Sequence, residues 1–99
     1  MHWNPSDHDR VVATGEAVAC EFGAGLALLH LKSNVYYSLN SVGAYIWELI
    51  QEPKPIAEIR SAVLERYNVE PERCKADVNG LLKGLADAGL ARLHDEELV

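Results

Sequence analysis

Positive charge is scarce in this chain of 99 residues: nine lysines and arginines stand against fifteen aspartates and glutamates, for a net charge of −6. On balance such a chain repels a phosphate backbone, and no Lys/Arg run offers a local exception. Long apolar runs are also missing; none approaches the roughly 20 residues needed to span a bilayer. The opening, MHWNPSDHDR, has no basic region followed by an apolar one, so no signal peptide is read and the expected compartment is the cytoplasm. The only cysteines, Cys20 and Cys74, each fall on the apolar face of a predicted element, which predicts a reduced, buried pair. His2, His8, His30 and His94 show no metal-ligand spacing with one another or with the cysteines, so no metal or other cofactor is expected.

With 48% hydrophobic and 24% charged residues, the composition is that of one ordinary globular domain. Its organising stretch is VYYSLNSVGAYIWELI, Val35–Ile50. Val35, Tyr37 and Leu39 alternate with Tyr36 and Ser38 as in a strand, and the period then changes at Asn40, a natural N-cap. Val42, Tyr45, Ile46, Leu49 and Ile50 share one helical face, with Trp47 beside them in the core. Upstream, Val18, Cys20 and Phe22 alternate with smaller or polar residues, which predicts a first strand over 17–22 with those three inward. Gly23-Ala24-Gly25 is a turn, and Leu26–Leu31, apolar at nearly every residue, reads as a central strand, covered on both faces or flanked by other strands. Connections this short force an antiparallel meander with the first and third strands as edges. Residues 1–14, polar and without sustained period, read as a flexible arm, 15–93 as the domain and 94–99 as a solvated tail.

Two more helices follow. Pro55 opens one whose face is Ile56, Ile59, Val63, Leu64 and Tyr67; Pro71 opens another with Cys74, Val78, Leu81, Leu82 and Leu85 on its apolar face. Gly89 sits where a left-handed C-cap belongs, with Leu90 placed to fold back on Leu85. On the flank of the last helix fall Asp77, Gly80, Gly84 and Ala88. Two glycines inside a helix cost roughly 1 kcal/mol each relative to alanine, so this flank is kept low either for a neighbouring helix or as a wall for a guest peptide.

Three strands followed by three helices give an α+β, winged-helix-like domain, and three functions suit it. DNA binding by the last helix is disfavoured, because its exposed Glu72, Arg73, Lys75, Asp77, Asn79, Lys83 and Asp87 mix signs on an acidic chain. Catalysis lacks a phosphate loop, a nucleophile elbow, a metal cluster or a defined carboxylate pair, so the chain does not read as an enzyme. The third is a peptide adaptor, in which an extended guest adds as a strand to the open edge at Val35–Leu39 beside the last helix. A Tyr37→Pro change is expected to remove a backbone donor from that edge.

The block Tyr36-Tyr37-Ser38-Leu39-Asn40-x-x-Gly43-Ala44-x-Ile46-Trp47, two apolar strands before it, the Tyr67–Val69 turn and the Ala88–Leu90 helix end together resemble the PqqD-like family. Its members are recognition elements for ribosomally made, post-translationally modified peptides. The resemblance implies a non-catalytic adaptor without cofactor, whose third strand and third helix clamp a precursor's leader and present it to a modifying enzyme or leader peptidase. Carried onto this sequence, the peptide-binding surface is Val35, Tyr36, Tyr37, Ser38 and Leu39 on the strand, with Cys74, Asp77, Val78, Leu81, Leu82 and Leu85 on the helix. The chain is most similar to the discrete leader-binding partner of lasso-peptide proteases. The alternative is a PqqD-type chaperone serving a radical SAM enzyme in pyrroloquinoline quinone synthesis. Neither implies nucleic acid or membrane as partner, and a monomer or weak dimer is expected.

Overall fold

The computed structural model describes Trp3 and residues 5–94 of the chain. Its elements run β1 (Arg10–Ala13), β2 (Ala17–Phe22), β3 (Gly25–His30), β4 (Tyr36–Leu39), α1 (Ser41–Leu49), β5 (Lys54–Pro55), α2 (Ile56–Arg66), α3 (Pro71–Asp87) and β6 (Ala91–His94). They form two antiparallel three-stranded sheets, ordered β2-β3-β4 and β5-β1-β6, and three helices.

The meander is as the short turns require: β3 is central, and β2 and β4 are edges. Leu28 pairs with Tyr37 and Leu26 with Leu39, so these four share the face that meets the helices, and Leu28 and Leu39 join the core. That register reverses the expectation for β2. Val18, Cys20 and Phe22 stand opposite Leu29, Ala27 and Gly25, on the face away from Leu28, and all three are exposed. Period 2 shows that a strand has two faces but not which one is covered. β3 is flanked on both sides by strands, one of the two settings its apolar run allowed, whereas the expected burial of Cys20 fails with that of its strand face. Of the two cysteines only Cys74 is buried.

The second sheet corrects the reading of residues 1–14 as an arm. Arg10–Ala13 form β1, where Val11 is fully buried among Ile50, Leu90 and the rest of the core. A strand of four residues is too short for periodicity to reveal. The β1 ladder with β6 explains why Ala91–His94 are extended. Ala13 N donates to the Ile50 carbonyl and Thr14 N to the Leu90 carbonyl, stitching this sheet to the ends of α1 and α3. The tail expected from His94 onward begins with the last residue of β6; 95–99 lie outside the described residues.

The helix termini follow local chemistry. Asn40 Oδ1 accepts from Gly43 N at 2.9 Å, capping α1. Pro55 precedes α2 without a side-chain cap; instead the Asp7 and Asp9 carbonyls accept from Ala57 N and Ile56 N, and Asp7 makes a two-pronged ion pair with Arg60, each prong 2.9 Å. At the end of α3, Gly89 takes φ +77, while Leu90 N donates to the Leu85 carbonyl and Gly89 N to that of Ala86. This is the Schellman arrangement anticipated from Gly89 and Leu90.

Candidate functional site

The edge of β4 and the side of α3 enclose a cleft of about 430 Å³. Tyr37, Ser38 and Leu39 supply one wall; Cys74, Asp77, Val78 and Leu81 supply the other. Asn40, Val42, Gly43 and Ile46 of the strand-to-helix junction, with Val63 and Val69, complete the lining. The lining is mainly apolar, with Asp77 as its one ionisable carboxyl. It forms an ion pair with Arg73 at 3.7 Å on the helix surface, both side chains well exposed, a geometry worth little in water.

Each wall has an identifiable local cause. Tyr37 faces inward because its partner Leu28 does, and its hydroxyl reaches α3 at Gly84, where a Cβ would collide with it. Gly84 therefore accommodates an aromatic side chain rather than a neighbouring helix. Around Gly80 the space is open, with nothing within 4 Å of a Cβ built there. Where α2 leaves towards α3, Tyr67 packs edge-on to Tyr45 at 5.9 Å between centroids, and the Arg66 guanidinium lies 4.6 Å above Tyr45. These contacts hold α1 to the end of α2 beside Val69.

The backbone phase of β4 decides what its free edge offers. His30 N donates to the Val35 carbonyl at 3.0 Å, and the register pairs Leu28 with Tyr37 and Leu26 with Leu39. Alternation along the ladder then points the N–H and C=O of Val35, Tyr37 and Leu39 towards β3. The outward groups belong to Tyr36 and Ser38. The donor expected at Tyr37 is thus occupied within the sheet, and a proline there would break the β3–β4 ladder rather than the open edge.

Of the residues anticipated from sequence, seven line the cleft: Tyr37, Ser38, Leu39, Cys74, Asp77, Val78 and Leu81. Val35 and Tyr36 are solvent-exposed beside it, Tyr36 at 73%. Leu82 and Leu85 are fully buried in the core and support the wall from behind. The junction residues Asn40, Val42, Gly43 and Ile46, and Val63 and Val69, were not anticipated as lining. The first four sit within the YxLNxxGxxIW block, so the block was visible but its placement under the cleft was not.

The Cys74 thiol, buried and donating weakly to the Arg60 carbonyl at 3.8 Å, is pushed up by burial, opposed by Arg60 and reinforced by Asp77. It stays a neutral thiol, unsuited to nucleophilic attack. Among the described residues no group of three or more His, Cys, Asp or Glu is placed to hold a metal ion, and no helix is long and apolar enough to cross a membrane.

Residues 25–91, spanning β3 to the first residue of β6, match the family described as Coenzyme PQQ synthesis protein D (PqqD). The chain belongs to the PqqD family. Two solved structures share its fold. One, "TbiB1 in Complex with the TbiA(beta) Leader Peptide", superposes with a TM-score of 0.73 at 28% identity, over 86% of this chain and 99% of that one. The other, "Lasso peptide synthetase B1 complexed with the leader peptide", gives 0.70 at 23% identity over 83% and 96%. No curated protein matches the chain. The PqqD assignment agrees with the resemblance seen in the YxLNxxGxxIW block, and the descriptions of both solved structures name a leader peptide.

Proposed function

We propose that this PqqD-family chain is a non-catalytic adaptor that binds the leader of a ribosomally made precursor peptide and presents it to a modifying enzyme or leader peptidase. The observation that carries the reading is the combination of an open β4 edge with an apolar cleft beside it. An extended guest gains backbone hydrogen bonds from Tyr36 and Ser38, and its alternate side chains enter the cleft against Val78 and Leu81. Both solved neighbours carry leader peptides in their descriptions, which supports a leader as the guest. The resemblance of the sequence to the leader-binding partner of lasso-peptide proteases favours a leader peptidase as the next component, and one of the two descriptions names a lasso peptide synthetase. The family's description favours a second reading, a chaperone in coenzyme PQQ synthesis.

The test is fluorescence anisotropy of a labelled leader, titrated with this protein beside a scrambled control. Saturable binding of the leader but not the control is expected. A folded sample that ignores the lasso-type leader yet binds a PQQ-precursor leader would transfer the protein to the second reading; binding of neither would overturn both.

A further inference from the structure

No residue of β2, the opposite edge of the β2-β3-β4 sheet, lines the cleft. On β2 every residue from Val18 to Phe22 is exposed, Val18 at 46% and Phe22 at 71%, although the strand is fully paired with β3. Phe22 and Gly25 close the two-residue loop Gly23-Ala24, with Gly23 at φ +61, as in a II′ hairpin. The closing pair is hydrogen-bonded, so alternation points the backbone groups of Val18, Cys20 and Phe22 at β3. Leu31 N donating to the Glu16 carbonyl at 2.8 Å has the same phase. The N–H and C=O of Ala17, Ala19 and Glu21 therefore face outward, where no described strand pairs with them.

Exposed edges of this kind are templates for another strand, and sheets usually blunt them with lysine, proline or a bulge. The sequence AVACEF has neither residue, and its register with β3 is unbroken. We propose that β2 pairs antiparallel with β2 of a second copy of this chain across a twofold axis, fusing two three-stranded sheets into one of six strands. A second copy fits because the strand complements itself. With the axis at Ala19, Ala17 stands opposite Glu21 of the second copy and Ala19 opposite its own equivalent, so all the outward N–H and C=O groups find partners. The only charge on the strand then meets alanine. In a chain of net charge −6 this matters, since like charges directly opposite are destabilising. On the outer face Val18 meets Cys20 of the second copy, so exposed apolar side chains line the seam.

The resulting order is β4-β3-β2-β2-β3-β4, with the two β4 edges outermost and about 24 Å apart at ordinary strand spacing. Both clefts stay open. That one dimer carries two leaders rests on the peptide-binding reading; the dimer itself does not.

Sedimentation equilibrium across a concentration series tests it. The wild-type mass should rise towards twice the 10.9 kDa of one chain, and Ala19→Pro, which removes an outward N–H, and Val18→Lys, which charges the seam, should each hold the protein at monomer mass with circular dichroism unchanged. If Ala19→Pro fails to fold, Val18→Lys decides. A wild type that stays monomeric to its solubility limit, or a dimer that survives Val18→Lys undiminished, overturns the proposal. Excess leader peptide separates the two edges: a dimer built on β4 would dissociate, which also overturns it, whereas a β2 dimer keeps its mass plus two peptides. Loss of leader binding with the dimer intact would count against the adaptor reading alone.

Discussion

The Tyr37 hydroxyl lies against α3 at Gly84, in the space a side chain at position 84 would fill, and the ring carbon bearing it is 3.3 Å from that position. One aromatic side chain thereby spans from the edge strand to the helix and sets the width of the cleft at that end. Gly80, one turn earlier, has open space above it. Two glycines that look equivalent on a helical wheel thus have different reasons to be there.

Alanine at each should separate them. Gly80→Ala meets nothing and should stabilise the protein by up to about 1 kcal/mol, which for a domain this size raises Tm by roughly 4–8 °C. Gly84→Ala should lower both Tm and leader affinity, because Tyr37 must move. Combining it with Tyr37→Phe, which removes the colliding oxygen, should recover the lost stability. Equal melting shifts for the two alanines would refute this role for Gly84.

Proline scanning of β4 should follow the backbone phase. Ser38→Pro removes an outward donor and should weaken leader binding about two- to tenfold, the range of one net hydrogen bond, with the far-ultraviolet spectrum unchanged. Tyr37→Pro should instead lower Tm, since its N–H belongs to the β3 ladder. A folded Ser38→Pro variant with wild-type affinity would mean that the guest does not add at this edge.

Leu81 and Leu82 are adjacent in sequence and differ in what they face. Leu82→Ala empties a fully buried site and should cost about 2–5 kcal/mol in urea unfolding. Leu81→Ala, on the cleft wall, should cost less stability and reduce leader affinity. The reverse pattern in paired denaturation and anisotropy measurements would remove Leu81 from the site.

Acid should act on the segment before β1. The hydrogen bond from Arg60 holds the Asp7 carboxyl below its ordinary 3.8, with burial opposing and the Arg60 charge assisting. A carboxyl lowered by folding stabilises the native state above its ordinary value, and the contribution disappears as pH falls through the lowered one. Asp7→Asn should therefore have a lower urea midpoint than wild type at neutral pH, and the gap should close in strong acid. A gap that persists unchanged at low pH would show that charge at Asp7 is not its cause.

The two thiols should react unequally. Cys20 is exposed, whereas Cys74 is buried with its thiol pushed up, so an aromatic disulfide reagent should titrate one thiol promptly and the second only on unfolding. Prompt reaction of both would show that the α3 wall of the cleft opens in solution.

Much of this architecture is written in local pattern. The apolar spacing from Val42 to Ile50 and from Cys74 to Leu85, the Asn40 cap and the Gly89 Schellman turn each depend on residues within a few positions of one another, and short turns leave an antiparallel meander as the only topology. The edge position of Tyr36–Leu39 followed from the same reasoning. Tertiary structure decided what periodicity cannot carry. Which face of β2 is covered depends on where the helices pack, so Val18, Cys20 and Phe22 turned outward. Val11 is buried because β6 and Pro55, more than forty residues away, pair with its strand. Leu82 and Leu81 share one apolar stripe, and only the position of β4 across from it makes one of them core and the other a wall of the cleft.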